Sequence, residues 1–312
     1  MTNLTKQPKI RASEPKLAAP ARRSRRAGAA GWAFSTPYAI LLILFGVLPA
    51  GYAIYLAFTN SLGQFVGFGQ FIKTAQDYRF VSTFTNVAIY VVIWVSVLTI
   101  ATVVLALMVH QRARFTSSLL RFLFYIPGAL AGVASVLVWL FMLDPVTSPF
   151  GILLKGLGFE SFREVILPPN LPVIFVLIAF WTGAGGWIVI MYGALNNIPA
   201  EVMDAARVDG ANRWQLAWNI QIPMISRWIV YMAILAFAAG TQLFVEPSLV
   251  ATASAGGITT AWSPNQLAYT YAFRNGDFNG SAAISIYLLI LAVAGAFILV
   301  ARTGLFKIED DE

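Results

Sequence analysis

The sequence predicts an all-α integral membrane protein with six transmembrane helices. Of its 312 residues, 58% are hydrophobic and only 11% are charged, whereas soluble globular domains are about half apolar and about a quarter charged. Six runs contain no ionisable side chain, and each approaches the ~20 residues that a helix needs to cross the hydrocarbon core. Because backbone polar groups in lipid must be satisfied within their own segment, these runs are predicted to be helices.

The first segment, residues 1–30, is predicted to be a disordered basic tail. It is rich in Ala, Pro, Lys and Arg and cannot bury a core. We interpret its charge as a topology signal, because four arginines lie close to the first apolar run, namely Arg22, Arg23, Arg25 and Arg26. Residues 31–306 form the predicted transmembrane domain, and residues 307–312 form an acidic tail.

The predicted spans are residues 37–58, 87–109, 122–143, 173–195, 228–245 and 282–301. With the N-terminus in the cytoplasm, sixteen Lys and Arg residues fall in cytoplasmic segments and five fall in outer loops. Because basic residues concentrate on the cytoplasmic side of membrane proteins, we expect both termini and the block at 196–223 to be cytoplasmic. The same asymmetry argues against nucleic acid as the partner of the net charge of +7.

The sequence lacks the residues that several functional classes require. The chain has no cysteine and one histidine, His110, so neither a metal site nor a catalytic residue is predicted. No Gly-Lys pair occurs, so the chain has no P-loop and is expected to bind no cofactor itself. The spans contain no ionisable residue, which disfavours a proton- or sodium-coupled carrier; Glu246 lies just past the fifth run. The outer loops are too short for a folded solute-binding domain, so recognition of a dilute solute would need a partner.

The block at 196–223 is charged although apolar runs flank it. A helix is predicted over 199–209, with Pro199 in its first turn, capped by Asn196 or Asn197 and ended by Gly210. A second short helix is predicted over 212–221, before Pro223 breaks the chain; its residues on one side are Trp214, Ala217 and Trp218. Helical patterning leaves two interpretations open. The block is either a connector that packs on the protein's own helices or a docking surface for a cytoplasmic partner.

The same block contains a specific spacing. Asp204-Ala205-Ala206 is followed after three residues by Gly210, and after nine more by Ile220-Gln221-Ile222-Pro223. This pattern resembles the EAA motif of the permease subunits of binding-protein-dependent ABC importers, in the maltose and glycerol-phosphate branch. Two side chains differ from that motif, since Asp204 replaces Glu and Ile222 replaces Leu. Further resemblance covers FVGFGQF at 65–71, Asn86, residues 121–127, Gly256-Gly257 and residues 280–283.

The resemblance implies a type I ABC importer permease fold, in the first permease of a heterodimeric pair. The helix at 199–209 would be a coupling helix in a cleft of a cytoplasmic ATPase, with contacts from Glu201, Asp204, Ala205, Ala206, Asp209 and Gly210. Two ATPase subunits would bind ATP-Mg, so this chain would not itself be an enzyme. A second permease subunit and an extracytoplasmic solute-binding protein would complete the assembly in a bacterial or archaeal cell membrane.

The solute expected from the resemblance is a sugar or a related polyol. Polar or small residues that interrupt the fourth and fifth spans predict its pathway; they are Thr182, Gly183 and Gly186, between Trp181 and Trp187, and Gly240, Thr241 and Gln242. The resemblance implies solute contacts at Thr182, Gly183, Gly186 and Gly240, and it adds Ala236. Tight helix packing for the glycines and lipid anchoring for the tryptophans remain the alternative. The rival functions are a self-sufficient channel or secondary carrier for a neutral solute, and a membrane-anchored scaffold.

Overall fold

The computed structural model describes residues 25–130, 132–254 and 259–303. Helices and turns make up these residues, which contain no β-strand beyond an isolated bridge between Thr59 and Phe65. The all-α prediction is therefore confirmed. The chain divides into two compact units, Met1–Tyr52 and Ala53–Glu312. The predicted acidic tail at 307–312 and the glycine pair at 256–257 lie outside the described residues.

The first unit contains helix α1, Arg25–Leu42, then a π-helical turn over Ile43–Val47 and the start of helix α2, Leu48–Ala57. Helix α1 begins inside the segment predicted to be a disordered tail, because Arg and Ala are strong helix formers. The tail prediction is thus wrong for residues 25–30, and residues 1–24 lie outside the described part. The stretch Phe34–Ala57 has 24 residues and is long and apolar enough to cross a membrane.

Four long helices form the core of the second unit. They are α4 (Phe80–His110), α9 (Leu171–Asn196), α13 (Ser226–Gly240) and α16 (Phe278–Thr303). Helix α4 packs along α9, and α13 packs on both α4 and α16. The side chains at these contacts are apolar and fully buried; they include Leu98, Phe175, Ile178, Ile188, Met191 and Met232. This core holds the polar interruptions of α9 and α13 next to α4.

The third predicted span is broken. Helix α5 covers Arg114–Tyr125, a 3-10 turn covers Ile126–Ala129, and helix α6 covers Val133–Met142. The two arms meet at 103°. Pro127 removes a backbone donor in the turn, and Gly132 has φ of 65°, a conformation that side chains with a Cβ rarely adopt. The prediction of one continuous helix over 122–143 is therefore wrong.

The fifth predicted span follows a bend and ends at a second break. Helix α11 (Arg213–Leu216), a π-helical turn (Ala217–Gln221) and helix α12 (Ile222–Met224) form one arm, which meets α13 at 66°. The bend lies at Ile225 and not at Pro223, because residues 213–224 form one helical arm and the backbone leaves the helical conformation at Ile225, where φ is −96° and ψ is 5°. After α13, the chain leaves the helix at 241–244 and helix α14 follows over Val245–Ala253. The helix predicted over 228–245 therefore ends early, at Gly240.

The number of spans depends on these two bends. Four helical segments in the described residues are long and apolar enough to cross a membrane alone: Phe34–Ala57, Phe80–His110, Pro168–Asn196 and Phe278–Arg302. The total reaches six, the predicted number, when each bent pair is taken as one span.

Shorter helices occupy the connections between the long ones. These are α3 (Gly69–Ala75), α7 (Gly151–Gly156), α8 (Phe162–Val165), α10 (Ala200–Val208) and α15 (Pro264–Tyr269). A π-helical turn at Thr270–Arg274 continues α15. Helices α3 and α15 both pack on α16, and a polar cluster joins the segments beside them.

We call this polar cluster the Asp77 cluster; it consists of Lys73, Asp77, Arg79, Tyr271 and Asp277. The Asp77 carboxylate accepts hydrogen bonds from the Arg79 guanidinium at 2.7 Å and the Tyr271 hydroxyl at 2.9 Å. Lys73 Nζ lies 2.7 Å from Asp277 Oδ2. The Arg79 hydrogen bond lowers the pKa of Asp77 to about 2, and burial raises the pKa of Tyr271 to about 12. The cluster therefore ties two segments almost 200 residues apart.

Candidate functional site

Helix α10 is bounded by residues that suit its two ends. It covers Ala200–Val208, with Pro199 as N-cap and Asp209 as C-cap, so the helix predicted over 199–209 is one residue shorter at each end. Gly210 follows with φ of +84°, the left-handed conformation in which glycine ends helices without strain. No side chain caps the first turn. The prediction of a cap from Asn196 or Asn197 is wrong, because Pro199 already occupies the capping position.

The side chains of α10 are unusually open to solvent. None of its residues is buried, and Glu201, Asp204, Ala205 and the neighbouring Asp209 are exposed, whereas Ala206 is half-buried. Val208 keeps 86% of its surface exposed. A connector that packs on the protein's own helices would bury its apolar residues. The exposure of α10 therefore favours the docking interpretation over the connector interpretation.

Asp204, the residue that departs from the EAA motif, forms an ion pair inside α10. Its Oδ1 accepts a hydrogen bond from Arg207 Nη1 at 2.8 Å, one turn further along the helix. The Asp204 and Arg207 side chains remain 67% and 61% exposed. A pair this exposed contributes only ~0.2–1 kcal/mol to stability. Both charges therefore remain accessible to a partner.

Helix α11 holds the other half of the charged block. The Asn212 side chain accepts from the Gln215 backbone N–H at 2.9 Å, and Gln215 Oε1 accepts from the Asn212 N–H at 2.8 Å, which is a complete capping box. Trp214 and Trp218 stack with their ring centres 5.9 Å apart, and both are exposed. Ala217 is buried instead of sharing their exposed side. The exposed surface thus continues from α10 to the stacked indoles.

The second candidate region is a cavity of about 390 Å³ bounded by α4, α9, α13 and the start of α14. Four of the predicted pathway residues line it, namely Thr182, Gly183, Gly240 and Gln242. The fourth and fifth spans therefore meet around one space, as expected of a pathway between them. The other eight lining residues were not predicted as pathway residues, and they include Tyr90, Trp94 and Glu246.

Trp94 explains the two glycines of this cavity. Its indole lies between them, because a Cβ on Gly183 would be 3.4 Å from Trp94 Cη2 and a Cβ on Gly240 would be 3.0 Å from Trp94 Cδ1. The indole N–H donates to the Ala236 carbonyl at 3.2 Å. Gly183 and Gly240 therefore fit both the packing and the pathway interpretation, because each leaves room for the Trp94 indole and each also lines the cavity.

The remaining predicted pathway residues lie elsewhere. Trp181 packs edge-to-face on Trp139 at 6.1 Å and Trp187 on Tyr231 at 6.3 Å, measured between ring centres. Thr241 lines a separate apolar groove between α4, α13 and α16 and donates to the Ala238 carbonyl at 2.8 Å. A Cβ on Gly186 would meet open space. None of these four lines the cavity, and Ala236 takes part only through its carbonyl.

The sequence around Tyr90, Trp94 and Glu246 carries no pattern that marks these residues as cavity-lining. Tyr90 and Trp94 lie four residues apart in a uniformly apolar run, so they share a helix face, but nothing marks that face in the sequence. Glu246 was noted only for its position beyond the fifth run. The break at 241–244 brings it to the cavity. Among the described residues, no group of His, Cys, Asp and Glu side chains could hold a metal ion.

Comparison with known proteins matches residues 112–305 to the family described as binding-protein-dependent transport system inner membrane component. A probable ABC transporter permease of Pyrococcus horikoshii is 26% identical, with 83% of this chain and 90% of the relative covered. The α-glucoside transport system permease AglF of Rhizobium meliloti is 26% identical over 84% of this chain and 79% of its own. The sn-glycerol-3-phosphate permease UgpA of Yersinia pestis is 25% identical over 82% and 88%.

The fold also matches a solved structure. A chain of a bacterial alginate ABC transporter, in complex with a periplasmic protein that carries an alginate pentasaccharide, superimposes with a TM-score of 0.78. The match covers 89% of this chain and 95% of that chain at 18% sequence identity. The fold is therefore that of an ABC importer permease.

Proposed function

The chain belongs to the family of binding-protein-dependent transport system inner membrane components, and on that premise we propose that it carries a sugar or related polyol into the cell. It is a multi-pass membrane permease subunit and not the ATPase of its transporter. The proposed partners are a second, similar permease subunit, two cytoplasmic ATPases that bind ATP-Mg, and an extracytoplasmic solute-binding protein. The proposed location is a bacterial or archaeal cell membrane, with both termini in the cytoplasm.

The exposure of α10 carries this proposal. A helix without buried residues, ended by Gly210 and followed at a set spacing by Pro223, presents a rigid convex surface to a partner. We propose that it seats in a cleft of the ATPase. The contacts would come from Glu201, Asp204, Ala205, Ala206, Asp209 and Gly210. Closure of the two ATPases would then move α10 and, through α11 and α12, the helix α13 that lines the cavity.

The proposed solute class is supported by the cavity as well as by the relatives. Sites for organic ligands usually have an apolar wall, and the nearly buried rings of Tyr90 and Trp94 form part of the wall of this cavity. Thr182 and Gln242 add a hydroxyl and an amide. Such a mixture of apolar and hydrogen-bonding groups is typical of sites for polar organic ligands. The cavity at α4, α9 and α13 is therefore proposed as part of the solute pathway.

Co-purification with the proposed partners and ATP-dependent uptake of labelled sugar together test the proposed function. The chain, expressed with its candidate ATPase and second permease, should co-purify with both and should take up labelled sugar only when ATP is present. Ala205→Arg on the exposed face of α10 should abolish co-purification of the ATPase, because the long charged side chain obstructs the proposed cleft. Ala75→Arg, at an exposed position of α3, is the matched control and should leave co-purification unchanged.

Two outcomes would contradict the proposal. Solute uptake by this chain alone in ATP-free vesicles would make it a self-sufficient channel or carrier. Unchanged ATPase binding in the Ala205→Arg variant would place the docking surface elsewhere on the chain.

A further inference from the structure

Building on the proposed import function, we infer that Glu246 makes the solute cavity selective for uncharged polyhydroxyl compounds over carboxylated or phosphorylated ones. The family alone leaves the charge of the solute open. Among the similar proteins, one is named for sn-glycerol 3-phosphate and another for the acidic polysaccharide alginate, whereas a third is named for α-glucosides. The charge inside this chain's own cavity separates these possibilities.

Glu246 is brought to the cavity by the backbone break after α13. The chain leaves the helix at 241–244, and α14 begins at Val245, so Glu246 lies in the first turn of a new helix. There the residue is half-buried and lines the cavity together with Tyr90 and Trp94. Position in the first turn favours a negative charge, because the helix dipole is positive at that end.

The charge of Glu246 is not neutralised by the protein. Among the described residues, neither Lys nor Arg lines the cavity, and Glu246 is the single acidic residue of its lining. In the described part of the chain, no basic side chain lies within ion-pair distance of the Glu246 carboxylate. An ionisable residue that faces a cavity in a membrane protein without a partner is a functional-site candidate by default. An anionic solute would meet this charge without any compensating cation.

The hydrogen-bonding groups of the cavity lead to the same solute class. The Thr182 hydroxyl donates its proton to the Ile178 carbonyl at 3.1 Å, so its oxygen is left as an acceptor. The Glu246 carboxylate is an acceptor only when ionised. Sugar hydroxyls can donate to both groups, and the apolar edge of the sugar can lie against the wall to which Tyr90 and Trp94 contribute. A carboxylate or phosphate brings acceptors and a like charge to the same groups.

Because this chain contains no cysteine, a single introduced thiol can report the charge inside the cavity. A single Gln242→Cys substitution places a thiol in the cavity of the assembled transporter, whose partner subunits are made cysteine-free. The rates of modification by a cationic and an anionic methanethiosulfonate reagent are compared with their rates on a free thiol. Burial raises the pKa of the Glu246 carboxyl, so the rates are compared at about pH 6 and about pH 8, since the higher pH favours the ionised form.

The cationic reagent should be favoured over the anionic one by at least about fivefold, as expected for a nearby negative charge at reduced dielectric. Adding Glu246→Gln should return the ratio to that of a free thiol, whereas Glu246→Asp should retain the preference. Glu160→Gln, which removes an exposed carboxylate outside the cavity, is the matched control and should change nothing. The preference should also fall when salt is raised from about 50 mM to about 500 mM, a measurement that needs no Glu246 variant.

Sugar probes then connect this charge to solute choice. Glucose, glucuronate and glucose 6-phosphate share one ring and differ in charge, and each is tested for slowing the modification of the cysteine at position 242. Glucose should protect best in the Glu246 protein, and the difference between the three should shrink in Glu246→Gln. Equal protection by all three sugars, or a reagent ratio that Glu246→Gln leaves unchanged, would overturn the inference. Neither result would affect ATPase docking through α10, so failure here is distinguishable from failure of the proposed function.

Discussion

The charged block at 196–223 and the cavity around Trp94 are built in opposite ways. The block is continuous in sequence, and its bounding residues Pro199 and Gly210 act on the helix between them. The cavity combines residues from α4, α9 and α13–α14, so that Tyr90 and Glu246 meet across 156 positions. A docking surface needs only local geometry and exposure, whereas a cavity needs helices to approach closely. We therefore expect substitutions in the cavity to affect folding and those in the block to affect coupling.

The largest effect is expected at Gly240, where a side chain would collide with the core. A Cβ there would lie 3.0 Å from Trp94 Cδ1 and 3.2 Å from Val91 Cγ2, so Gly240→Leu should lower the free energy of unfolding by about 1–3 kcal/mol through overpacking. Gly186→Leu, at a position where a Cβ meets open space, should leave it unchanged or raise it slightly. Thermal unfolding of the purified protein measures both. Equal destabilisation would remove the distinction between a packed and an open glycine.

The Asp77 cluster should make stability depend on acid. Asp77 has a folded-state pKa of about 2 against an ordinary 3.8, and its side chain is only 9% exposed. A lowered pKa stabilises the folded state above the ordinary value, and the contribution is lost as pH falls from 3.8 towards 2. The shift corresponds to about 2 kcal/mol at neutral pH.

This contribution is measured by the change in unfolding temperature between pH 5 and pH 2 in wild type and in Asp77→Asn. The variant should be less stable at neutral pH and should lose less stability on acidification. Parallel curves for the two proteins would mean that the ion pair with Arg79 contributes nothing. Because the cluster joins distant segments, it is expected to behave as the cavity does and to affect folding.

A smaller and local effect is expected at Gly210. Its φ of +84° is unfavourable for any side chain, and the left-handed conformation costs about 1–2 kcal/mol per residue for other amino acids. Gly210→Val should therefore distort the end of α10 while the protein still inserts into the membrane, and solute-stimulated ATP hydrolysis should fall about tenfold or more. Gly193→Val, at an exposed helical position of α9 with free space around its Cβ, should preserve hydrolysis. Unchanged coupling in Gly210→Val would count against α10 as the docking helix.

The smallest effect on stability is expected at Asp204. Its ion pair with Arg207 is more than half exposed on both sides, so Asp204→Asn should change the free energy of unfolding by less than about 0.5 kcal/mol. ATP hydrolysis by the assembled transporter should fall measurably more than stability does, because the accessible carboxylate is available to the ATPase. A variant with wild-type hydrolysis would show that the acidic position of the motif is dispensable here.

Much of the fold follows from local patterns. The long apolar runs predicted α4, α9 and α16 because length and composition alone decide whether a helix can cross a bilayer. The break at 126–132 was missed because the run around it is apolar on both sides, whereas Thr241 and Gln242 marked a polar interruption in the fifth run but not the end of its helix. The resulting bend of 103° depends on Pro127 and Gly132. A hydropathy pattern does not record such a bend.

The candidate site also has a part that the sequence predicted and a part that only the structure showed. Pro199 and Gly210 were sufficient to predict a helix with nearly the correct ends, whereas helical patterning left its exposure open until the structure showed it. The glycines of the fourth and fifth spans were also identified, but their shared contact with Trp94 was not. That contact depends on how α9 and α13 rotate about their axes against α4, and an almost uniformly apolar helix carries no pattern that sets this rotation.

The sequence by itself determined that this chain is an all-helical membrane protein of the importer permease type, because hydrophobic length and one charged spacing are local properties. Only the tertiary structure decided which polar residues share a space. It placed Glu246 beside Tyr90 and Trp94 and directed Trp181 and Trp187 to other contacts. The physical reason is that lipid selects helices for being apolar all round, so the choice between lipid-facing and cavity-facing sides is made by packing between helices.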